Sequence, residues 1–286
     1  MATHQLFHLH GNLIDVHAQI ATEVDEVRTL VIFVHGFLGS SDTTWNDFPM
    51  LISRSSDLEW IHSDIFFIEY ASMDRSVGNA AWDLMLFLET FLENPGSYVQ
   101  NWTRSPLLAN LRPDLSYGYK QLVLVGHSMG GVVIRKTIVD FLRRPFNGSV
   151  STCDTLIRNA KVLLFAPAIG GIQLSGAKGI LSETPGLRAL VNMFTGKTSS
   201  IADLKQGSEF LRALRESTEY MSRQNQPAAS ISASIAWAEN DDAIVNFCGY
   251  SHDADQVRIL KSSHRSICKP QGLSDEQYIF VRSRLD

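Results

Sequence analysis

The chain has 286 residues, a formal net charge of −5 and 44% hydrophobic residues. That length suits one α/β domain with an insertion. The mild acidity, without a basic run or polyacidic tail, argues against a nucleic-acid surface and against disorder. No window approaches the about 18 consecutive apolar residues of a membrane span, and the opening MATHQLFHLHGNLIDV lacks the basic start and apolar run of an export signal.

In chain order, His4–His10 and Leu13–Ile20 read as an antiparallel hairpin turned at Gly11-Asn12. Leu30–His35 is a nearly continuous apolar run ending at a glycine, as a strand buried on both faces requires. Asp64–Tyr70, Gln121–Gly126 and Lys161–Ala166 repeat that pattern, and Ile231–Ala238 and Gln256–Leu260 are expected to be two further strands. Between them, Ser76–Leu92 places Ala80, Leu84, Phe87, Leu88 and Phe91 on one helical face, Met129–Leu142 follows the third strand directly, and Ser274 reads as the N-cap of a final helix. Strands alternating with helices imply a mostly parallel sheet covered on both faces.

The rhythm breaks at about residues 169–230, where no strand-like run occurs. Thr184-Pro185 starts one helix, with Leu187, Leu190, Val191 and Phe194 on a shared face, and Ala202–Met221 reads as a second. This stretch is expected to be a helical insertion, a lid or pocket wall, because sites in open α/β sheets lie beyond the carboxyl ends of the strands.

The chemistry concentrates in Gly126-His127-Ser128-Met129-Gly130-Gly131, a G-x-S-x-G with a strand before it and a helix after it. Small residues permit the sharp turn that lifts Ser128 to a helix N-terminus, where the Met129 N–H becomes a candidate oxyanion donor. His35-Gly36-Phe37, directly after the Leu30–His35 strand, offers the Phe37 N–H as the second donor. A serine needs a base, and in this arrangement the order is Ser, acid, His. Only His252 and His264 lie beyond the elbow; His264 follows the last strand, whereas His252 precedes it and would emerge at the wrong end. The acid is expected after Ile231–Ala238, in Glu239-Asn240-Asp241-Asp242-Ala243-Ile244-Val245. An Asp followed by a small and two β-branched residues points to Asp242, with Asp241 as runner-up and Glu239 third. His8 and His10 alternate along a strand without a third ligand in view, so no metal is expected. Cys153, Cys248 and Cys268 form no C-x-x-C pair and read as reduced thiols of a cytoplasmic protein.

VIFVHGFLGS, LVGHSMGGVVIRK, AENDDAIV and KSSHRSICKP fall in the order and spacing of the α/β-hydrolase superfamily. More narrowly, the chain resembles the lipase-like serine esterases, among them the serine-active-site-containing proteins and, more remotely, the GPI inositol-deacylases. The resemblance implies an α/β-hydrolase fold, a triad of Ser128, Asp242 and His264, oxyanion donors at Phe37 and Met129, no cofactor, and a carboxylic ester substrate, with lipids and thioesters among the candidates. One segment departs from that pattern: Ala166-Pro167-Ala168-Ile169-Gly170 stands where such proteins often carry Thr-Pro-His-x-Gly, which removes any subgroup-specific substrate inference. Acyl transfer to an alcohol by the same residues, and a non-catalytic ligand-binding module on the same fold, are the rival readings.

Overall fold

The computed structural model describes residues 4–9, 14–21, 26–73, 75–103, 118–144, 151–172, 199–225, 227–241, 243–244 and 249–286. The apolar runs become strands: β1 (His4–Leu9), β2 (Asp15–Ala21), β3 (Thr29–Val34), β4 (Ser63–Glu69), β5 (Gln121–His127), β6 (Lys161–Phe165), β7 (Ala233–Asn240) and β8 (Asp255–Ser263). They form one eight-stranded sheet in the order β1-β2-β4-β3-β5-β6-β7-β8. The first three in that order pair antiparallel and the rest parallel. Every residue of β3 is buried, as two covered faces demand, whereas the edge strand β8 exposes Gln256, Arg258, Leu260 and Lys261.

The pleat divides the Phe66-Phe67 pair between the two faces. Phe66 meets Phe91 of α3 (Val77–Glu93), ring centroids 5.0 Å apart. Phe67 stacks on Phe33 at 4.7 Å, on the side where Phe48 of α1 (Phe48–Arg54) also reaches Phe33. Two short helices follow, α2 (Leu58–Ile61) before β4 and α4 (Pro95–Thr103) after α3. The helix after β5, α5 (Met129–Leu142), packs beside α3, with α6 (Thr152–Arg158) next to it.

The described part of residues 169–230 joins this helical layer. Its expected single helix is two, α7 (Ser199–Leu204) and α8 (Glu209–Ser222), because Gly207 adopts φ +74° and Ser208 caps α8 by accepting from Leu211 N at 3.2 Å. Asp203 of α7 accepts from Val77 N at 3.0 Å, a carboxylate on the N-terminus of α3. Leu211 and Leu214 of α8 are buried, and α8 packs on α5. The helix expected over Leu187–Phe194 lies outside the described residues.

The last helix, α9 (Glu276–Arg282), is preceded at its N-cap by Asp275 and not by Ser274. The Asp275 carboxylate turns back to accept from Gln271 N (2.7 Å) and Gly272 N (3.2 Å), so it closes the preceding turn. At the lower end of the sheet, buried Arg135 of α5 donates to Asp253 at 2.6 Å, and Asp253 also accepts from Ala233 N and Tyr250 N. This pair ties α5 to the segment that leads into β8; removing one partner of such a pair leaves a buried charge unpaired.

Gly130, in the first turn of α5, sets how closely that helix meets β3. A Cβ there would lie 2.1 Å from the Val34 carbonyl oxygen. Gly130→Ala is therefore expected to destabilise the protein by about 1–3 kcal/mol or to prevent folding. Gly118→Ala, where a Cβ meets nothing within 4 Å, is expected to leave the melting temperature nearly unchanged. Thermal unfolding of the two variants checks the pair.

Candidate active site

Strand β5 hands over to α5 through Ser128, whose backbone sits at φ 53°, ψ −118°. A non-glycine residue held there costs about 1–3 kcal/mol and persists only when its surroundings over-determine it. They do: Ser128 N donates to Phe165 O (3.0 Å), and Ser128 O accepts from Gly131 N and Ala168 N, both at 3.1 Å. The Ser128 side chain then faces His264, with Oγ 2.9 Å from Nε2.

His264 follows β8, as its place in the sequence requires, and His252 sits at the opposite end of that strand beside Tyr250, ring centroids 5.5 Å apart. The other ring nitrogen of His264, Nδ1, is 2.9 Å from Asp241 Oδ2. A carboxylate only accepts, so Nδ1 carries the hydrogen and Nε2 presents its lone pair to the Ser128 hydroxyl. The Asp241 side chain is 1% exposed. Burial opposes its charge, but the His264 hydrogen bond and charge, with the Ala243 and Ile244 N–H groups, hold its carboxyl below the usual range.

The carboxylate that meets His264 is thus that of Asp241, which the sequence reading ranked second to Asp242. Asp241 directly follows β7, and its Oδ1 accepts from Ala243 N (3.0 Å) and Ile244 N (3.2 Å) while Oδ2 meets the imidazole. One carboxylate both closes the turn after the strand and reaches His264. Asp242 lies outside the described residues.

The loop after β3 lies directly against Ser128: a Cβ on Gly36 would be 2.9 Å from Ser128 Cβ. Its backbone is held at successive positions. His35 Nδ1–H donates to Gly36 O at 2.8 Å, and Gly39 N donates to the same oxygen at 3.0 Å. Leu38 N donates to Ser72 Oγ (3.1 Å), Ser40 N to Thr44 Oγ1 (3.2 Å) and Ser41 N to Glu69 Oε2 (2.6 Å). Gly36 C=O and Phe37 N–H belong to one planar trans peptide, so fixing the carbonyl toward the His35 ring sends the Phe37 N–H the other way. Burial holds the His35 ring neutral, and Tyr70 stacks on it at 4.4 Å while donating its hydroxyl to His35 O. Met129 is the first residue of α5, so its N–H has no acceptor within the helix. On the far side, Cys268 Sγ donates to Thr44 O at 3.3 Å, joining the His264 loop to this one.

The sequence reading singled out the His35-Gly36 turn but not the hydrogen bonds of the His35 ring, and it did not find Glu69, Tyr70, Ser72 or Cys268 as parts of this arrangement. Their partners are mostly backbone atoms, which no residue type announces; the one available signal was the His-Gly dipeptide itself. Among the described residues, no group of three His, Cys, Asp or Glu side chains is placed to hold a metal ion.

No protein-family model matches the chain. It is 24% identical over 163 residues to Protein SERAC1 of Danio rerio, a match covering 52% of this chain and 23% of that protein. The match thus spans less than a quarter of that relative's length. Among solved structures, Bacillus licheniformis lipase BlEst2 superposes with a TM-score of 0.53 at 15% identity, covering 88% of this chain and 92% of that one. A monoacylglycerol lipase of Paleococcus ferrophilus gives 0.49 at 11% identity, covering 91% and 95%. The chain has the α/β-hydrolase fold.

Two outcomes are expected from this geometry. Asp241→Asn should lower turnover by about 10³–10⁴-fold, since the amide no longer selects the Nδ1–H tautomer, while Asp242→Asn stays mild; steady-state kinetics of both variants decide. The second concerns His127, whose buried ring has its pKa pushed down from 6.5 to about 3. Between those values the unfolded chain binds the proton that the folded chain refuses, so stability falls as pH drops below about 6.5. Denaturation midpoints from neutral to mildly acid pH should show a shallower fall for His127→Gln than for wild type.

Proposed function

We propose that the protein is a serine hydrolase that cleaves carboxylic esters through an acyl-enzyme. The observation that carries this reading is the relay from Ser128 Oγ through His264 to Asp241, two hydrogen bonds of 2.9 Å each. Ser128 Oγ attacks the ester carbonyl and its proton passes to His264 Nε2. The tetrahedral oxyanion is received by the N–H groups of Phe37 and Met129, worth about 10²–10³-fold per donor in such sites. Asp241 stabilises the imidazolium. His264 then protonates the leaving alcohol as its C–O bond breaks, leaving the acyl group on Ser128. Water gives a proton to His264 as its oxygen attacks the acyl carbon, and Ser128 departs with the proton returned.

An ester with an apolar acyl group is the proposed substrate class, with a lipid or thioester included. It rests on the apolar residues Leu187, Leu190, Val191 and Phe194 of the insertion. We place the protein in a reducing, cytoplasmic setting. Cys153 and Cys268 are buried free thiols, each pushed up to about 12 chiefly by burial, and no helix of the described residues is long and apolar enough to cross a membrane.

A fluorophosphonate probe should label the wild type at Ser128, read by peptide mass spectrometry, and Ser128→Ala should lose the label with little change in melting temperature. Label that persists in the alanine variant overturns the nucleophile. A wild type that neither labels nor releases nitrophenol from nitrophenyl esters is a binding module. Product shifted wholesale to a new ester on addition of an alcohol identifies a transferase. Phe194→Ala should move the preferred acyl length without altering the label.

A further inference from the structure

His127 precedes the nucleophile in β5, yet its ring is turned to the backbone of the base: Nε2 lies 2.8 Å from the carbonyl oxygen of His264. A carbonyl only accepts, so Nε2 must carry the hydrogen and donate it. The two rings lie 5.0 Å apart, centroid to centroid, tilted by 42°.

The segment that His127 grips has left the regular ladder. Lys261 takes φ 55°, the β7–β8 register slips between Ala238 and Asn240, and the last pair is Asn240 with Ser263. Beyond it the chain folds onto itself, with Ser263 N donating to Ser266 Oγ at 2.9 Å and Ile267 N to Ser263 O at 3.0 Å. Those bonds shape the loop but do not set its distance from Ser128, which is 136 residues away in sequence.

We propose that His127 is a positioning residue whose Nε2–H fixes the His264 backbone, and so holds the base at hydrogen-bond distance from Ser128. The inference rests on reading Ser128, His264 and Asp241 as the triad. The imidazole is then held at three points: Nδ1 by the acid, Nε2 by the nucleophile, and its main chain by the residue covalently joined to that nucleophile. Base and nucleophile share one mount, so a shift of β5 carries both. The donor also has to stay uncharged, because a second imidazolium 5.0 Å away would oppose the one that forms on His264. Burial serves this, keeping His127 neutral down to about pH 3. A misplacement of about 1 Å in such an arrangement costs about 10²-fold in rate.

Two substitutions separate positioning from space filling. His127→Phe keeps a ring without a donor, and His127→Gln keeps an N–H donor at similar reach. Turnover of a nitrophenyl ester and the rate of fluorophosphonate labelling are measured on each, with melting temperature alongside. His127→Phe is expected to lose about 10–100-fold in kcat and in labelling rate with KM within about 2-fold of wild type, and His127→Gln to recover most of the loss. Wild-type rates in both variants, or equal losses that follow melting temperature, overturn the proposal. A third measurement needs no variant: nitrogen-15 spectra of the imidazoles should show His127 as the neutral Nε2–H tautomer, and the Nδ1–H tautomer overturns the proposal even if His127→Phe fails to fold. Absence of labelling in the wild type overturns the triad reading itself; labelling of wild type and variants alike overturns only the role of His127.

Discussion

The left-handed turn at Ser128 constrains much of the architecture around it. At φ 53° the residue is strained, and it stays there because neighbouring backbones leave no alternative. Gly130 must fit under the Val34 carbonyl and Gly36 must lie against Ser128, so β3 and β5 have to be adjacent, parallel and in one register, Val34 opposite Gly126. Once that register is set, the loops after β3, β5, β7 and β8 all emerge at the same edge of the sheet. The residues that meet there come from positions as far apart as Gly36 and His264, and the sheet is what brings them together.

Around that turn, charge and neutrality are assigned by burial. Asp241 keeps its charge because three groups stabilise it: the His264 ring, by hydrogen bond and charge, and two backbone N–H groups. His35 and His127 lose theirs because burial outweighs everything else near them. Both then use the neutral ring as a directed donor to a main-chain carbonyl, Gly36 in one case and His264 in the other. A lysine or arginine could donate equally well but would place a permanent charge beside the site.

The sequence exposed the parallel strands because strands covered on both faces must be continuously apolar, as Leu30–Val34 and Leu122–Val125 are. It exposed Ser128 because few residues survive such a turn, and His264 because chain order left one histidine beyond the last strand. Asp241 ranked second to Asp242 in the sequence, since a string of letters shows two adjacent carboxylates but not which one also closes the following turn. Asp275 was missed in favour of Ser274 for the same reason: its carboxylate serves the turn behind it and not the helix ahead. The break between α7 and α8 hides in Gly207-Ser208, a pair that reads as tolerable within a helix until Gly207 takes φ +74°. The ring contacts of His35 and His127 were invisible because each depends on where a distant or adjacent carbonyl points.

His264, the proposed base, stands at the end of β8, which among the described residues pairs on one side only. Edge strands lose their pairing at lower free energy than the centre of a sheet, in openings that leave the rest folded. The Arg135–Asp253 pair clamps the segment entering this strand, whereas His264 sits at the strand's other end, beyond the slipped register. On the proposed mechanism, a fluctuation that peels back this margin of the sheet would part His264 from Ser128 while the hydrophobic interior is still intact, so activity would be lost before the fold.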